Sequence, residues 1–512
     1  MDDDPVEEHR WTGRATGWIA AGSAINGLGA FLFQIVGTRV LGADGYAPVG
    51  VLWTLQYLWV AVAVTALEAY VTRLVTVRGH DAARLRRFLR LLRRWLIGAA
   101  VVTAVVAAAA AGPLFAGYTQ LGFSLGLLVL GYGWYGVVRG RAAGMDRFRA
   151  YALATAGEST LRLFAAVVVL AVAASTPALA WVFPLGPLAV AAWAWLRSHP
   201  TARPRRRHRT RPSPTGQAPD DRPAHRASPD QPPTDTTTRP DTIDPPPHRG
   251  LAHASSSAGR AVPADDPMDT ALEVGEDGRR REATRFLIAT SIANAAVQFL
   301  LAGGPLVLVL LGAGATEISV LFTTVTLARV PMTFALNGGL SRLLPPLTRM
   351  ARSDDAAGLR RATVWIVAGI VAVAGASAAG AALMGPEVVQ LLFGEEFRPG
   401  RPMIIVVAVG TVLAVGGLLL DQLYIATGRQ AWLPAVWVTV VVVAVTLVAT
   451  LPGTATMRVA TGFALATGGG VIALTIGLLG PAARRPASAP SGPPPHGNRP
   501  GNGQRPTTDS HR

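Results

Sequence analysis

The residues most able to do work in this sequence are charged side chains set inside long apolar runs. Arg329, Arg162, Glu158, Glu68 and Asp421 each stand among Ala, Val, Leu and Gly, and Arg39 closes another such run. A charge in hydrocarbon costs roughly 2.5–3.5 kcal/mol on insertion scales, so each marks a ligand or ion path unless a neighbour neutralises it. Arg329 has no carboxylate four residues away. Two roles remain for it: facing a wet cavity, or bonding carbonyls freed beside Pro331. Arg162 and Glu158 are four apart and can pair on one helix face, which competes with Arg162 as a ligand group. Glu158, Glu68 and Asp421 are candidate ion-coupling carboxylates, with a snorkelling interfacial carboxylate as the other reading of Glu68. Asn26, Gln34, Asn294, Gln298 and Asn337 are amides in the same kind of stretch. They can line a polar path or bond between helices at about 0.6–2 kcal/mol each.

Enzyme chemistry finds little support. There is no Cys, and the sequence holds neither HExxH nor GxxxxGK[ST]. The nine His fall in tails, loops and a linker, so no metal site and no cofactor are expected. One GxSxG match, GFSLG at Gly122–Gly126, opens an apolar run, whereas a nucleophile elbow needs a strand, a turn and a His partner. Without an ATP-binding motif, any driving force is an ion gradient, the membrane potential or consumption of product.

The elements that position these residues are membrane spans. Half of the 512 residues are hydrophobic and only 15% are charged, too few to cover a soluble protein of this size. A span needs about 20 apolar residues. Six runs fit in Gly17–Gly37, Ala47–Ala69, Trp95–Leu114, Leu121–Val138, Tyr151–Ala174 and Ala178–Leu196. Six more fit in Phe286–Gly312, Ile318–Leu340, Thr363–Met384, Met403–Ala426, Ala431–Leu451 and Val459–Leu479. The expected fold is therefore all-α and polytopic, with about twelve spans.

With the N-terminus inside, the loops Arg73–Arg94, Arg139–Arg149, Arg342–Arg361 and Gly428–Gln430 carry 18 Arg, against 4 outside: Arg39, Arg398, Arg401 and Arg458. That asymmetry places both termini in the cytoplasm and the chain in the inner (plasma) membrane. It also accounts for the net charge of +16 without nucleic acid. The acidic start, MDDDPVEEHR, does not read as a cleaved signal peptide. The expected layout is a cytoplasmic segment over 1–16, a six-span half over 17–196, a Pro/Arg-rich disordered linker over 197–285, a second half over 286–480 and a disordered tail over 481–512. The stretch Asp81–Trp95 reads as a basic amphipathic helix on the inner surface, with Leu85, Phe88, Leu89 and Leu92 near one face.

The halves repeat. Leu41-Gly42-Ala43, Val51-Leu52 and DAARLRR from Asp81 return in order as Leu311-Gly312-Ala313, Val320-Leu321 and DAAGLRR from Asp355. Asn26 and Asn294 correspond in the same way. Two halves with an even number of spans point alike, so the pseudo-twofold axis lies along the membrane normal, and such transporters often bind substrate between halves.

Three stretches carry a family resemblance: QIVGTRVLGADGYAPVGVLWTLQYL (Gln34–Leu58), ARVPMTFALNGGLSRLLPPLTRMARSDDAAGLRRA (Ala328–Ala362) and LLFGEEFRPGRPMIIVVAVGTVLAVGGLLLDQLYIATGRQ (Leu391–Gln430). They resemble the polysaccharide-export flippases of the multidrug/oligosaccharidyl-lipid/polysaccharide (MOP) superfamily. The resemblance implies two helical lobes and a polyprenyl-diphosphate-linked oligosaccharide carried from the inner to the outer leaflet by alternating access. Arg329, Arg162, Arg39 and the amides Asn26, Asn294, Gln298 and Asn337 then become candidates for the headgroup, since a guanidinium donates two bonds to phosphate at once. Other polysaccharide-assembly proteins are implied as partners. Within the superfamily, a lipid II flippase and a cation-coupled drug exporter stand as alternatives. Outside it stand a non-transporting scaffold and a polyprenyl-dependent membrane enzyme.

Overall fold

The computed structural model describes residues 5–78, 82–198, 291–330, 350 and 356–480. Among them every regular element is helical. Beyond Ser198 the expected linker lies outside these residues, as do Asn337, Pro331 and the expected tail.

Helix α1 runs from Pro5 to Trp59 and a π-helical turn follows at Val60–Val64. Next come α2 (Thr65–Arg78), α3 (Ala82–Ala109), α4 (Ala111–Phe115), α5 (Thr119–Gly144), α6 (Phe148–Ala173), α7 (Thr176–Val182) and α8 (Leu185–Ser198). After the gap, residues 291–302 form α9, Gly304–Leu310 form α10 and residues 315–330 form α11. The series closes with α12 (Ala356–Phe393), α13 (Arg401–Ala426), α14 (Leu433–Thr450) and α15 (Ala455–Leu479). Nine helices among the described residues are long and apolar enough to cross a membrane, or ten if the pair α9–α10, bent by 71°, is one span.

The first of the nine covers Gly17–Thr76. Straight, it would be ~90 Å long, about three times the hydrocarbon thickness. Gly42 breaks it, with φ 68° and ψ −178°, a left-handed conformation open to Gly. Its counterpart in the repeat, Gly312, has φ 71°.

The helices differ from the expected spans where packing extends or interrupts them. The fourth run was expected to end at Val138, but α5 continues to Gly144. Gly136, Gly140 and Gly144 form a bare stripe along it. A Cβ on each would stand 2.8–2.9 Å from Val64 Cγ1, Glu68 O and Thr72 O. The stripe lets α2 lie directly against α5, so Arg139 sits in a helix rather than an inner loop. The ninth run was expected to end at Met384, with an outer loop Gly385–Pro402. Instead α12 carries Pro386 within it and reaches Phe393. The sixth run is split by the Phe183–Pro184 break into α7 and α8.

Large apolar side chains face outward along the spans, with Val172 84% and Leu383 79% exposed, as a lipid-facing surface requires. On the described part of the basic amphipathic segment, Phe88, Leu89 and Leu92 are half-buried while Arg87, Arg90, Arg93 and Arg94 are exposed. Phe88 stacks on Tyr70 of α2 at 5.1 Å.

Helices α1 to α8 pack chiefly on one another: α6 on α1, and α2, α3 and α8 on α5. In the later part α13 packs on α12 and α15, and α14 on α15. The two groups meet where α1 touches α10 and α12.

Candidate functional site

A cavity of about 320 Å³ lies between α1, α5 and α6 on one side and α10 and α11 on the other. Its polar lining comes from Asn26, Gln34, Gln56, Arg139, Glu158, Arg162 and Arg329, and its aromatic lining includes Trp53, Tyr57, Tyr132 and Tyr135. Three cations and one carboxylate thus meet in one space among the described residues.

The floor of the cavity is a buried network. Arg162 is 3% and Glu158 2% exposed. Arg162 Nη2 lies 3.3 Å from Glu158 Oε1, the i,i+4 pair that their spacing allows. Tyr132 Oη donates to Glu158 Oε1 at 2.9 Å and accepts from Gln56 Nε2 at 3.0 Å and Arg162 Nη1 at 3.1 Å. The Arg162 guanidinium also sits 4.8 Å from the Trp53 ring centre. Arg162 Nε, Gln56 Oε1 and Gln34 Oε1 are buried without a protein partner, although each residue lines the cavity. Leaving such atoms unpaired costs about 1–3 kcal/mol each. Opposite them, Arg329 lies over the Tyr57 ring at 4.2 Å, which fixes a cation on the far wall.

Of the candidates named from sequence, the cavity collects Arg329, Arg162, Glu158, Asn26 and Gln34. The others lie elsewhere. Asn294 donates Nδ2 to Ala61 O at 3.0 Å, across to the π turn, and is occupied there. Gln298 has a buried, unpartnered Oε1 but does not line the cavity. Asp421 accepts from Trp437 Nε1 with both carboxylate oxygens, at 3.1 and 3.0 Å, between α13 and α14. Glu68 pairs with Arg139 at 3.3 Å and accepts from Tyr151 Oη at 2.9 Å. Asn337 lies outside the described residues.

Arg39 is remote from the cavity. It donates Nε to Leu392 O at 3.0 Å and Nη2 to Leu391 O, the open carbonyls at the end of α12. The favour is returned at the Gly42 break. Glu396 Oε2 accepts from Ala43 N at 2.8 Å, Ser319 Oγ donates to Ala43 O at 2.5 Å, and Thr316 Oγ1 donates to Asp44 Oδ1 at 2.9 Å. Each group of helices therefore caps a helix end of the other, and these bonds tie the two groups together on that side.

The GFSLG match is structural. It lies within α5, and Ser124 is fully buried with Oγ donating to Ala180 O at 2.6 Å.

No family profile matches the chain, and no curated protein matches it. Solved structures do. An inward-facing multidrug-resistance MATE family transporter of the MOP superfamily is 14% identical, with a TM-score of 0.56 over 88% of this chain and 93% of that one. A MOP superfamily transporter from Pyrococcus furiosus, described as having a binding pocket of reversed polarity, is 12% identical, with a TM-score of 0.51 over 91% and 94%. The chain has the fold of the MOP superfamily transporters. In this MOP fold the cavity is held between two groups of helices that touch through α1, α10 and α12.

Sequence reasoning missed Arg139, Gln56, Trp53, Tyr57, Tyr132 and Tyr135. Hydropathy falls at Arg139, which reads as a loop. The four-residue Gly spacing at 136, 140 and 144 was the signal that the helix continues.

Proposed function

We propose that this protein is a membrane transporter that carries a polyprenyl-diphosphate-linked oligosaccharide from the inner to the outer leaflet for cell-surface polysaccharide synthesis. The observation that carries the reading is the charge of the cavity. Three guanidiniums, Arg139, Arg162 and Arg329, line it against two carboxylates, Glu158 paired with Arg162 and Glu68 paired with Arg139 from the neighbouring pocket. A net cationic, water-accessible cavity suits a diphosphate. Amides and aromatic rings on the same walls suit sugars, through hydrogen bonds and flat apolar faces. A cationic drug would meet repulsion there, which disfavours the exporter alternative.

In this reading the Arg-rich loops face the cytoplasm, so the Arg39 side, where the two groups are tied together, is the outer side. The lipid tails stay in the bilayer while the headgroup passes through the cavity, and the two groups of helices rock to expose it alternately.

The test is genetic and chemical. In a strain lacking its own copy, Arg329→Gln and Arg162→Gln at matched membrane levels should abolish surface polymer and accumulate polyprenyl-linked oligosaccharide on the inner leaflet. Normal polymer from both variants, in a strain that makes none without the protein, would remove the cavity from the mechanism.

A further inference from the structure

A second pocket, open and of about 690 Å³, lies between α2, α5 and α6. Its walls carry Arg73, Arg139, Tyr151, Thr72 and Thr76, with Glu68 as the carboxylate among its lining residues. It shares Val60 and Arg139 with the central cavity. Arg139 therefore stands at the boundary between the two spaces. Its side chain is 21% exposed and that of Glu68 19%.

The bonding of Arg139 is incomplete. It pairs with Glu68 at 3.3 Å, bonds the Tyr151 hydroxyl and reaches Tyr135 Oη at 3.4 Å, at the limit of a hydrogen bond. Its Nε is buried without a partner. Tyr135 and Tyr151 hold the guanidinium between their rings, at 5.2 and 4.4 Å. Such a cation is positioned by stacking and neutralised by one half-exposed acid, an arrangement from which a stronger anion can displace the acid.

We propose that this pocket is an intake subsite for a phosphate or diphosphate group, in which Arg139 exchanges Glu68 for the ligand and passes it to Arg162 and Arg329. The geometry supplies each part. Arg73, Thr72 and Thr76 line the mouth, and Thr72 Oγ1 already bonds Glu68 O and Gly140 O at the seam of α2 and α5. Arg139 is common to both spaces, so the anion keeps one cation while it changes the others. Glu68 holds Arg139 when the site is empty, which spares the membrane an uncompensated charge. The π turn at Val60–Val64 lies on the same boundary, and such turns mark places where a helix can adjust locally.

This rests on the transport reading above, and the test separates the two. The full chain, purified in detergent, is titrated with farnesyl diphosphate and with inorganic pyrophosphate. Arg139→Gln should weaken farnesyl diphosphate binding about tenfold, the loss of one charge-assisted hydrogen bond. Glu68→Gln should tighten it severalfold, because the competing anion is gone. A misfolded variant cannot bind more tightly, so the second result guards the first. Pyrophosphate bound as well as farnesyl diphosphate assigns recognition to the anion itself; farnesyl diphosphate alone assigns it to the lipid headgroup. Either supports the subsite. If Arg329→Gln weakens binding while Arg139→Gln and Glu68→Gln leave it unchanged, the subsite is overturned and the transport reading stands. If the unaltered protein binds neither ligand, both fall.

Discussion

The reciprocal capping around Gly42 should decide how often the cavity opens on the Arg39 side. Arg39→Ala removes two bonds to the end of α12, and Glu396→Ala removes the acceptor of Ala43 N. A bond with one charged partner contributes about 1.5–3 kcal/mol when buried. Both side chains are exposed, and exposure brings such contributions down to about 1 kcal/mol or little more. The double variant should therefore lose about 2–3 kcal/mol of closure, a 30- to 150-fold rise in the open population while that population is small. The chain has no Cys, so a single Ala30→Cys in the cavity wall reports access without background. A membrane-impermeant maleimide applied from the Arg39 side should label Ala30→Cys that much faster in the double variant. From the opposite side the rate should fall or stay level. Unchanged labelling from the Arg39 side would refute the latch. Equal acceleration from both sides would mean loosening of the fold instead.

Further predictions concern the supporting structure. Glu158→Ala leaves the Arg162 charge buried without its acid and should cost about 3–5 kcal/mol, read as a lower thermal midpoint in detergent; adding Arg162→Met should recover much of the loss. Gly42→Ala places a side chain in the left-handed region with its Cβ 2.9 Å from Glu396 Oε2, and should cost about 1–3 kcal/mol by the same assay. Asp421→Leu strips Trp437 Nε1 of its acceptor and should cost about 1–3 kcal/mol, while Asp421→Asn keeps an acceptor and much of the stability. If Asp421 couples an ion, Asp421→Asn should also abolish the dependence of transport on that ion.

Much of the fold was legible because hydropathy runs follow the bilayer. The tenth to twelfth runs match α13, α14 and α15 to within four residues at either end. The Leu-Gly-Ala repeat also had a physical signature, since both glycines have a positive φ, 68° at Gly42 and 71° at Gly312. Arg162, Glu158, Arg329, Asn26 and Gln34 could be found because a polar group in an apolar run stands out. Arg139 could not, because it lies near the end of its run, where hydropathy reads a charge as solvent. Gln56 stands mid-run as one amide among several and a Tyr hydroxyl is ordinary in a span; only the folding of α1 against α5 and α6 joins Gln56 through Tyr132 to Arg162. Arg39 and Glu396 are exposed and far apart in sequence, so nothing local indicated that they cap each other's helices.

The central claim is that the cationic cavity moves a lipid-linked anionic headgroup across the bilayer. It is tested most directly with the purified protein in vesicles, following translocation of a polyprenyl-diphosphate oligosaccharide by loss of protection from an added glycosidase. The account predicts protein-dependent translocation that Arg329→Gln and Arg162→Gln abolish. Translocation no faster than in protein-free vesicles, or undiminished in both variants, would contradict it.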